Sequence, residues 1–322
     1  MYIFIVNPIA GNGKAKRVFS EIKQTELYHN INKMVYITEY DGHAEVIASE
    51  VVKSTVMIEA LIVISGDGTL HEVINGTVAE GDVPIAFIPG GSGNDFARGN
   101  HIKKKPLQIF RSIIEDEDSS PYWVGTFHFN GTKRYFVNSI GIGFDAEVAK
   151  HANESVMKKW LNSIRLGRLS YLFALIKVLF SFKFFDVKLE VDGKQHLYKD
   201  CLLVLASNHQ FVGGGLKILP EATIQGKHLS ILIIHGISKL KILTLFSTVL
   251  WGGHIKFPGV SVLQAKKVKV GHIKIDRPIY YQVDGETETF KACTITKKVK
   301  PVRILGIKHQ EEFVDHQKQD AS

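Results

Sequence analysis

Residues Leu61–Gly76 read LIVISGDGTLHEVING, and the rest of the chain is organised around them. An apolar, β-branched run, Leu61–Ile64, stops at Ser65-Gly66-Asp67-Gly68, and a helix-type pattern begins at Leu70. Thr69 followed by Glu72 has the spacing of a capping box, with Thr at the N-cap and Glu three residues on. Strand, glycine turn and capped helix together aim backbone N–H groups and a positive dipole end at one point, which suits a phosphate. Asp67 sits inside the turn. Its carboxylate would repel a bare phosphate, but it fits if a divalent cation stands between them.

The same device recurs one βα unit later. Val83–Pro89 is a short apolar strand, after which Gly90-Gly91-Ser92-Gly93-Asn94-Asp95 turns into Phe96-Ala97-Arg98. Ser92 with Asp95 repeats the cap spacing, with Asp in place of Glu. In an ordinary βα turn, glycine supplies only unusual dihedrals. Either turn alone would be read that way; two in succession, each with an Asp and each opening a helix, read as a phosphate site.

Upstream, Tyr2–Val6 is a strand, Asn7–Gly13 a turn into a helix through Phe19 and Ile22, Met34–Thr38 a second strand, and Ala44–Val52 a helix. Strands alternating with helices predict a parallel sheet covered on both faces. Ligands of such sheets gather at the carboxyl ends of the strands, where Asn7, Thr38, Asp67 and Ser92 fall. After about Tyr122 the texture changes. Asn130-Gly131 between Trp123–Phe129 and Lys133–Ile140 is a hairpin signal, as is Asp192-Gly193 after Val187–Val191. Further strands are expected over Cys201–Ala206, Leu229–Ile234, Lys267–Ile275, Ile279–Val283 and Thr289–Thr296. The expected organisation is an α/β domain over 1–121 and an antiparallel β domain over 122–296 with a helical insertion. Glu311–Ser322 is polar and expected to fray.

The 322 residues are 45% hydrophobic and 22% charged, enough for one large core or two ordinary ones. Cys201 and Cys293 fall in apolar strands, with no disulfide or zinc framework, which points to a reducing cytoplasm. Met1–Pro8 lacks a basic leader and reads as a buried strand. No stretch has the roughly 18 uninterrupted apolar residues of a spanning helix. The net charge of +8 favours acidic partners in general. No zinc-finger, RNP-type or helix-turn-helix signature supports nucleic acid. A P-loop fails at Gly13-Lys14, which has Pro8 and Ala15 at the key positions. G-x-G-x-x-G fails at Gly11, Gly66 and Gly91; Gly141–Ala146 fits a looser form, but without alternating βα units around it.

Taken together, SGDGT, PGGSGND, NPIAGNGKA (Asn7–Ala15), GIGFDAEV (Gly141–Val148) and QVDGE (Gln282–Glu286) resemble the ordered motifs of the diacylglycerol-kinase-like lipid kinases. GGDGT alone is shared with NAD kinases, so the whole set carries the resemblance. It implies a NAD-kinase-like nucleotide domain joined to an antiparallel β-sandwich domain, with 297–310 returning to the first. It also implies ATP and Mg²⁺ as cofactors, and phosphoryl transfer to a lipid alcohol, diacylglycerol foremost, in phospholipid metabolism. Glu286 matches the family's general base on the lipid hydroxyl, and Asp284 would orient its loop. Asn7, Gly11, Thr38, Gly66, Asp67, Gly68, Thr69, Glu72, Gly91, Ser92 and Asn94 would hold the nucleotide; Asp67 and Asp95 would serve the metal–water network. A Cβ at Gly68 is expected to clash or strain, and Asp67→Ala to leave the fold intact. Ser65 replaces the first Gly of GGDGT, and Ser92 the Thr of GTxND. Bacterial relatives also have an Asp that holds a structural Mg²⁺ where this chain has Gly226 and Lys227, so that second metal is not expected.

The expected setting is cytoplasmic, peripheral to the inner face of the membrane, with a lipid substrate and anionic phospholipid as partners. A homodimer is compatible with the sequence, which does not give an oligomeric state. Leu169–Phe185 and Leu240–Trp251 are apolar runs punctuated by lysines. They read either as core-facing helices or as a lipid-facing surface flanked by Lys158, Lys159, Arg165 and Arg168. The alternatives are a NAD-kinase-like nucleotide kinase and a catalytically silent nucleotide-binding protein.

Overall fold

The computed structural model describes residues 1–78, 81–115, 119–129, 131–153, 176–224, 226–249, 251–273 and 278–307. Four parallel strands open the chain: β1 (Tyr2–Val6), β2 (Lys33–Ile37), β3 (Ala60–Ser65) and β4 (Ile85–Pro89). The helices of this part are α1 (Ala10–Lys23), α2 (Glu26–Asn30), α3 (His43–Lys53), α4 (Asp67–Val78), α5 (Asp95–Gly99) and α6 (Pro106–Glu115). With β5 (Ser119–Tyr122) and a late strand at Val302–Leu305, they form a sheet of order β2-β1-β3-β4-(302–305)-β5. The late strand runs parallel to β4 and antiparallel to β5.

The continuous apolar run in β3 follows from burial on both faces. Leu61 and Val63 pack with Ile47 and Val51 of α3 and with Leu70 and Val73 of α4. Ile62 and Ile64, pointing the other way, pack with Val18, Phe19 and Ile22 of α1 and with Ile109, Phe110 and Ile113 of α6. Burying such a side chain is worth about 1.5–3 kcal/mol, so β3 is the anchor of the glycine turn that follows it.

The second part contains β6 (Gly125–Phe129), β7 (Thr132–Phe136), β8 (Ser139–Gly143), α7 (Phe144–Asn153), β9 (Phe185–Val191), β10 (Lys194–Ser207), β11 (Phe211–Val212), β12 (Leu216–Lys217) and β13 (Leu229–His235). It continues through α8 (Lys239–Val249), β14 (Val260–Ala265), β15 (Lys267–Ile273), β16 (Ile279–Val283), β17 (Glu286–Phe290) and β18 (Ala292–Lys297); the returning strand, Val302–Leu305, is β19. Its main sheet is antiparallel, with β17-β16-β8-β10-β9-β15-β18-β6-β7 in order and β13 and β14 branching from β10. β10 belongs to both layers. Its first half pairs with β9, its second half with β8 and β13, and the register shifts around Asp200, whose φ is 51°. Such an irregularity bends a strand from one layer into the next, enclosing one core.

Two expected strands divide. The run 133–140 breaks between β7 and β8 because the N–H groups of Val137, Asn138 and Ser139 turn onto the Asp284 carboxylate instead of a neighbouring strand. The run 289–296 divides at Lys291: β17 pairs with β16, while β18 crosses to β15 and β6. Among the described residues no helix is long and apolar enough to cross a membrane.

Candidate functional site: two glycine turns under a carboxylate hairpin

The first turn joins β3 to α4 at the carboxyl edge of the sheet. The helix begins at Asp67, three residues earlier than a Thr69 cap would place it, so Thr69 lies inside its first turn. The capping box does not form. Thr69 Oγ1 instead accepts from Ser65 Oγ (2.7 Å) and from Asn7 Nδ2 (3.0 Å), tying the ends of β1 and β3 together. Glu72 reaches the neighbouring helix, where Oε2 accepts from the Ala44 N–H at 3.0 Å and satisfies the start of α3. Ser65 sits in extended strand without positive φ, so its replacement of glycine brings no strain and adds a hydroxyl to the bridge.

The second cap is absent as well. Asn94, in a left-handed conformation, precedes α5 and gives it no side-chain cap; its amide instead closes the loop on the N–H and carbonyl of Gly91. Ser92 is exposed. The N–H groups opening α5 are taken by Asp67, whose Oδ2 accepts from Asp95 (2.8 Å) and Oδ1 from Phe96 (3.1 Å). Burial, with the Asp95 charge beside it, pushes the Asp67 carboxyl up to about 6. The Asp95 carboxylate in turn accepts from the Gly214 N–H of the second part at 2.8 Å and pairs with Arg98. Burial raises its pKa too.

The glycines divide into two kinds. A Cβ on Gly91 would lie 2.5 Å from the Gly66 Cα, and one on Gly11 would lie 2.2 Å from the Gly90 carbonyl oxygen. Gly11, Gly66 and Gly91 therefore let three turns pack backbone to backbone. Gly68 differs: a Cβ there meets nothing within 4 Å, and its φ is not positive. The expected clash with protein is absent, and the space over the start of α4 is open. Thr38, just past the edge strand β2, is fixed by its N–H on the Val6 carbonyl.

Over α4 stands the hairpin β16–β17. Asp284 (φ 49°) and Gly285 (φ 100°) are its two-residue turn, left-handed as such turns require. Asp284 is not a solvent-facing turn residue. Its side chain is fully buried, with Oδ1 accepting from Asn138 and Ser139 N–H and Oδ2 from Val137 N–H. Oδ2 also lies 2.8 Å from His71 Nδ1, on α4. Burial opposes charging His71, but the hydrogen bond and negative charge of Asp284 outweigh it and raise the imidazole pKa. Glu286, exposed at the start of β17, is near enough for its charge to act on both His71 and Glu72. Gln282 braces the turn from the other side: Oε1 accepts the Gly285 N–H at 2.9 Å and Nε2 donates to the buried Asp145 at 3.1 Å.

The motifs did not single out His71 or Asn75. Their signal was two polar residues four apart on the buried face of an apolar helix. Asn75 exchanges both amide hydrogen bonds with the Tyr135 backbone of β7, and Arg134 pairs with Glu45 of α3, so the two parts dock through α3 and α4.

Among the described residues no group of three His, Cys, Asp or Glu could hold a metal ion. Asp67 and Asp95 retain lone pairs beyond their backbone partners, which fits a cation carried in by a nucleotide rather than an all-protein cage. The second, structural Mg²⁺ does not fit: the Gly226 carbonyl accepts from the buried Lys297 Nζ at 3.3 Å.

Residues 1–125 match the family model of the diacylglycerol kinase catalytic domain, and residues 138–306 match that of the YegS C-terminal NAD kinase beta sandwich-like domain. The chain is 33% identical over 309 residues to a Bacillus subtilis (strain 168) protein named "Putative lipid kinase YtlR", covering 94% of this chain and 98% of that one. It is 30% identical over 270 residues to a diacylglycerol kinase of Mycobacterium tuberculosis, covering 83% of each. A solved structure titled as a diacylglycerol kinase from Bacillus anthracis str. Sterne superposes with a TM-score of 0.67 at 20% identity, over 94% of this chain and 96% of that one. By its two matched domains and by these relatives, the chain belongs to the diacylglycerol-kinase-like lipid kinase family.

Proposed function

We propose that the protein transfers the γ-phosphate of ATP to the hydroxyl of a lipid alcohol, diacylglycerol first, yielding phosphatidic acid for phospholipid metabolism. The observation that carries this reading is the Asp284-Gly285-Glu286 turn, whose carboxylate is fixed by three backbone N–H groups of the second part and meets, through His71, the helix that starts at the open glycine turn. Phosphoryl transfer needs positioning and charge neutralisation more than covalent chemistry from the protein.

In this reading the N–H groups at the start of α4, which lack intrahelical acceptors, receive the phosphates over Gly68. Asp67 and Asp95 would hold a Mg²⁺ brought with the nucleotide, which would neutralise phosphate charge there; burial raises both carboxyl pKa values, and a cation beside them would favour their charged forms. Glu286 takes the proton of the lipid hydroxyl. The freed oxygen forms its bond to the γ-phosphorus while the bond to the β,γ-bridging oxygen breaks, its electron pair leaving on ADP.

The lipid would be met at a membrane surface. Phe180, Leu240 and Trp251 are 52%, 70% and 65% exposed, and Lys239, which donates to the Phe180 carbonyl, ties the first two neighbourhoods together. Leu179, Ile242, Leu245 and Val249 face the core, so in this reading the exposed side chains of the same segments are the ones turned to lipid; residues 169–175 and 250 lie outside the described residues. Lys158, Lys159, Arg165 and Arg168 lie outside the described residues.

The test is a panel of lipid and nucleotide acceptors with labelled ATP, run on wild type and Glu286→Gln. Gln keeps the shape but cannot take the proton, so lipid phosphorylation should fall about 10²–10⁴-fold with ATP affinity retained. Phosphorylation of NAD without lipid, or ATP binding without transfer to any acceptor, would overturn the reading.

A further inference from the structure

The residue that links the two halves of this site is His71, and nothing in the proposed chemistry uses it. It follows the first turn of α4 directly, three residues after Gly68, and is 3% exposed. Nδ1 lies 2.8 Å from Asp284 Oδ2, and Nε2 lies 3.3 Å from Asn75 Nδ2. With Nδ1 protonated, the ring donates to Asp284 and accepts from Asn75, so both nitrogens are engaged. The other charges facing the ring are Glu286 and Arg134. Asp284 has three backbone donors on the second part, from Val137, Asn138 and Ser139. His71 is its one described hydrogen-bond partner on the first part.

We infer that His71 is a positioning residue for the transfer step. Acting through Asp284, it sets the turn carrying Glu286 against the phosphate end of α4. A single rigid helix thereby spaces donor from base: its first turn faces the phosphates, and its next residue holds the hairpin. Positioning of this kind matters because misplacing reacting groups by about 1 Å can cost on the order of 10² in rate. The inference rests on the proposed role of Glu286.

Three variants test it. His71→Leu removes the donor while keeping an apolar filler of helical propensity. His71→Asn restores a donor, because the Asn amide nitrogen stands the same number of bonds from Cβ as Nδ1. Glu286→Gln reports the base reading separately. His71→Leu should lower kcat at least tenfold, leave the ATP dissociation constant within about threefold, and speed amide exchange at Val137, Asn138 and Ser139. His71→Asn should recover kcat to within about threefold of wild type. If Glu286→Gln is inert while folded His71→Leu turns over at the wild-type kcat, the positioning role is wrong and the base reading stands. If His71→Leu loses rate and His71→Asn does not regain it, the hydrogen bond to Asp284 is not the operative contact. If Glu286→Gln transfers at the wild-type rate, the base reading falls and takes this inference with it. Should His71→Leu not fold, the comparison passes to His71→Gln, which moves the donor out by one bond and should show the same loss of kcat.

Discussion

Gly68 and Gly91 lie in matching glycine turns, yet adding one methyl group to each should have opposite consequences. At Gly91 the new Cβ would stand 2.5 Å from the Gly66 Cα and 3.0 Å from Asn94 Oδ1, where carbon pairs rest at about 3.5–4.0 Å. The obstacle at Gly66 is backbone, so the turns must separate by about 1 Å, and overpacking of this kind costs about 1–3 kcal/mol. For a domain of this size that corresponds to a fall in melting temperature of about 2–4 °C per kcal/mol. A Cβ added at Gly68 would meet nothing within 4 Å beyond its chain neighbours and its own helix backbone, and replacing a helical glycine with alanine gains up to about 1 kcal/mol. Gly68→Ala should therefore melt no lower than wild type. Its methyl group occupies the space over the helix start that phosphate oxygens need, so Mg·ATP affinity should weaken at least about tenfold, or 1.4 kcal/mol. Thermal melts and calorimetric titration of both variants separate the two roles. Wild-type ATP affinity in Gly68→Ala would refute the phosphate seat at α4, and a wild-type melting temperature in Gly91→Ala would refute the turn-on-turn packing.

Asp67→Ala should abolish turnover and, contrary to the expectation for a turn residue, also destabilise the fold. It strips the acceptor from the Asp95 and Phe96 N–H groups, at about 1–3 kcal/mol for each donor left unsatisfied. Chemical denaturation giving the wild-type midpoint would contradict that tie. Lys297 is buried and its ammonium pKa is lowered to about 8 by burial, against about 10.4 in an unfolded chain. A lowered folded pKa means the unfolded state binds the extra proton, so this group adds stability as pH rises from about 8 to 10.4 and loses it on the way back down. Lys297→Met should accordingly stabilise the protein at pH 7, by at most about 3 kcal/mol, and flatten that alkaline rise; a lower melting temperature at pH 7 would show the ammonium to be structurally required. Vesicle binding should be salt-sensitive and stronger on anionic lipid, each lysine near the surface contributing about 1 kcal/mol; equal binding to neutral and anionic vesicles would remove the proposed membrane surface.

What the sequence determined by itself is the set of features that depend on neighbours along the chain. The apolar run of β3, the glycine turns and the Asp192-Gly193 and Asp284-Gly285 hairpin turns are local choices of dihedral and burial, legible wherever they occur. The order of the motifs carried the family for the same reason. The tertiary structure alone decided where each polar side chain spends its hydrogen bonds. Thr69 and Glu72 have the spacing to cap their own helix, yet Glu72 reaches Ala44, 28 residues upstream, and Asp67 caps a helix 28 residues downstream. His71 meets Asp284 across 213 positions. A carboxylate held in a crowded interior goes to the donors whose desolvation would otherwise be left uncompensated. Which donors those are depends on how α4, the second glycine turn and the hairpin are brought together by packing, and no spacing along the chain records that.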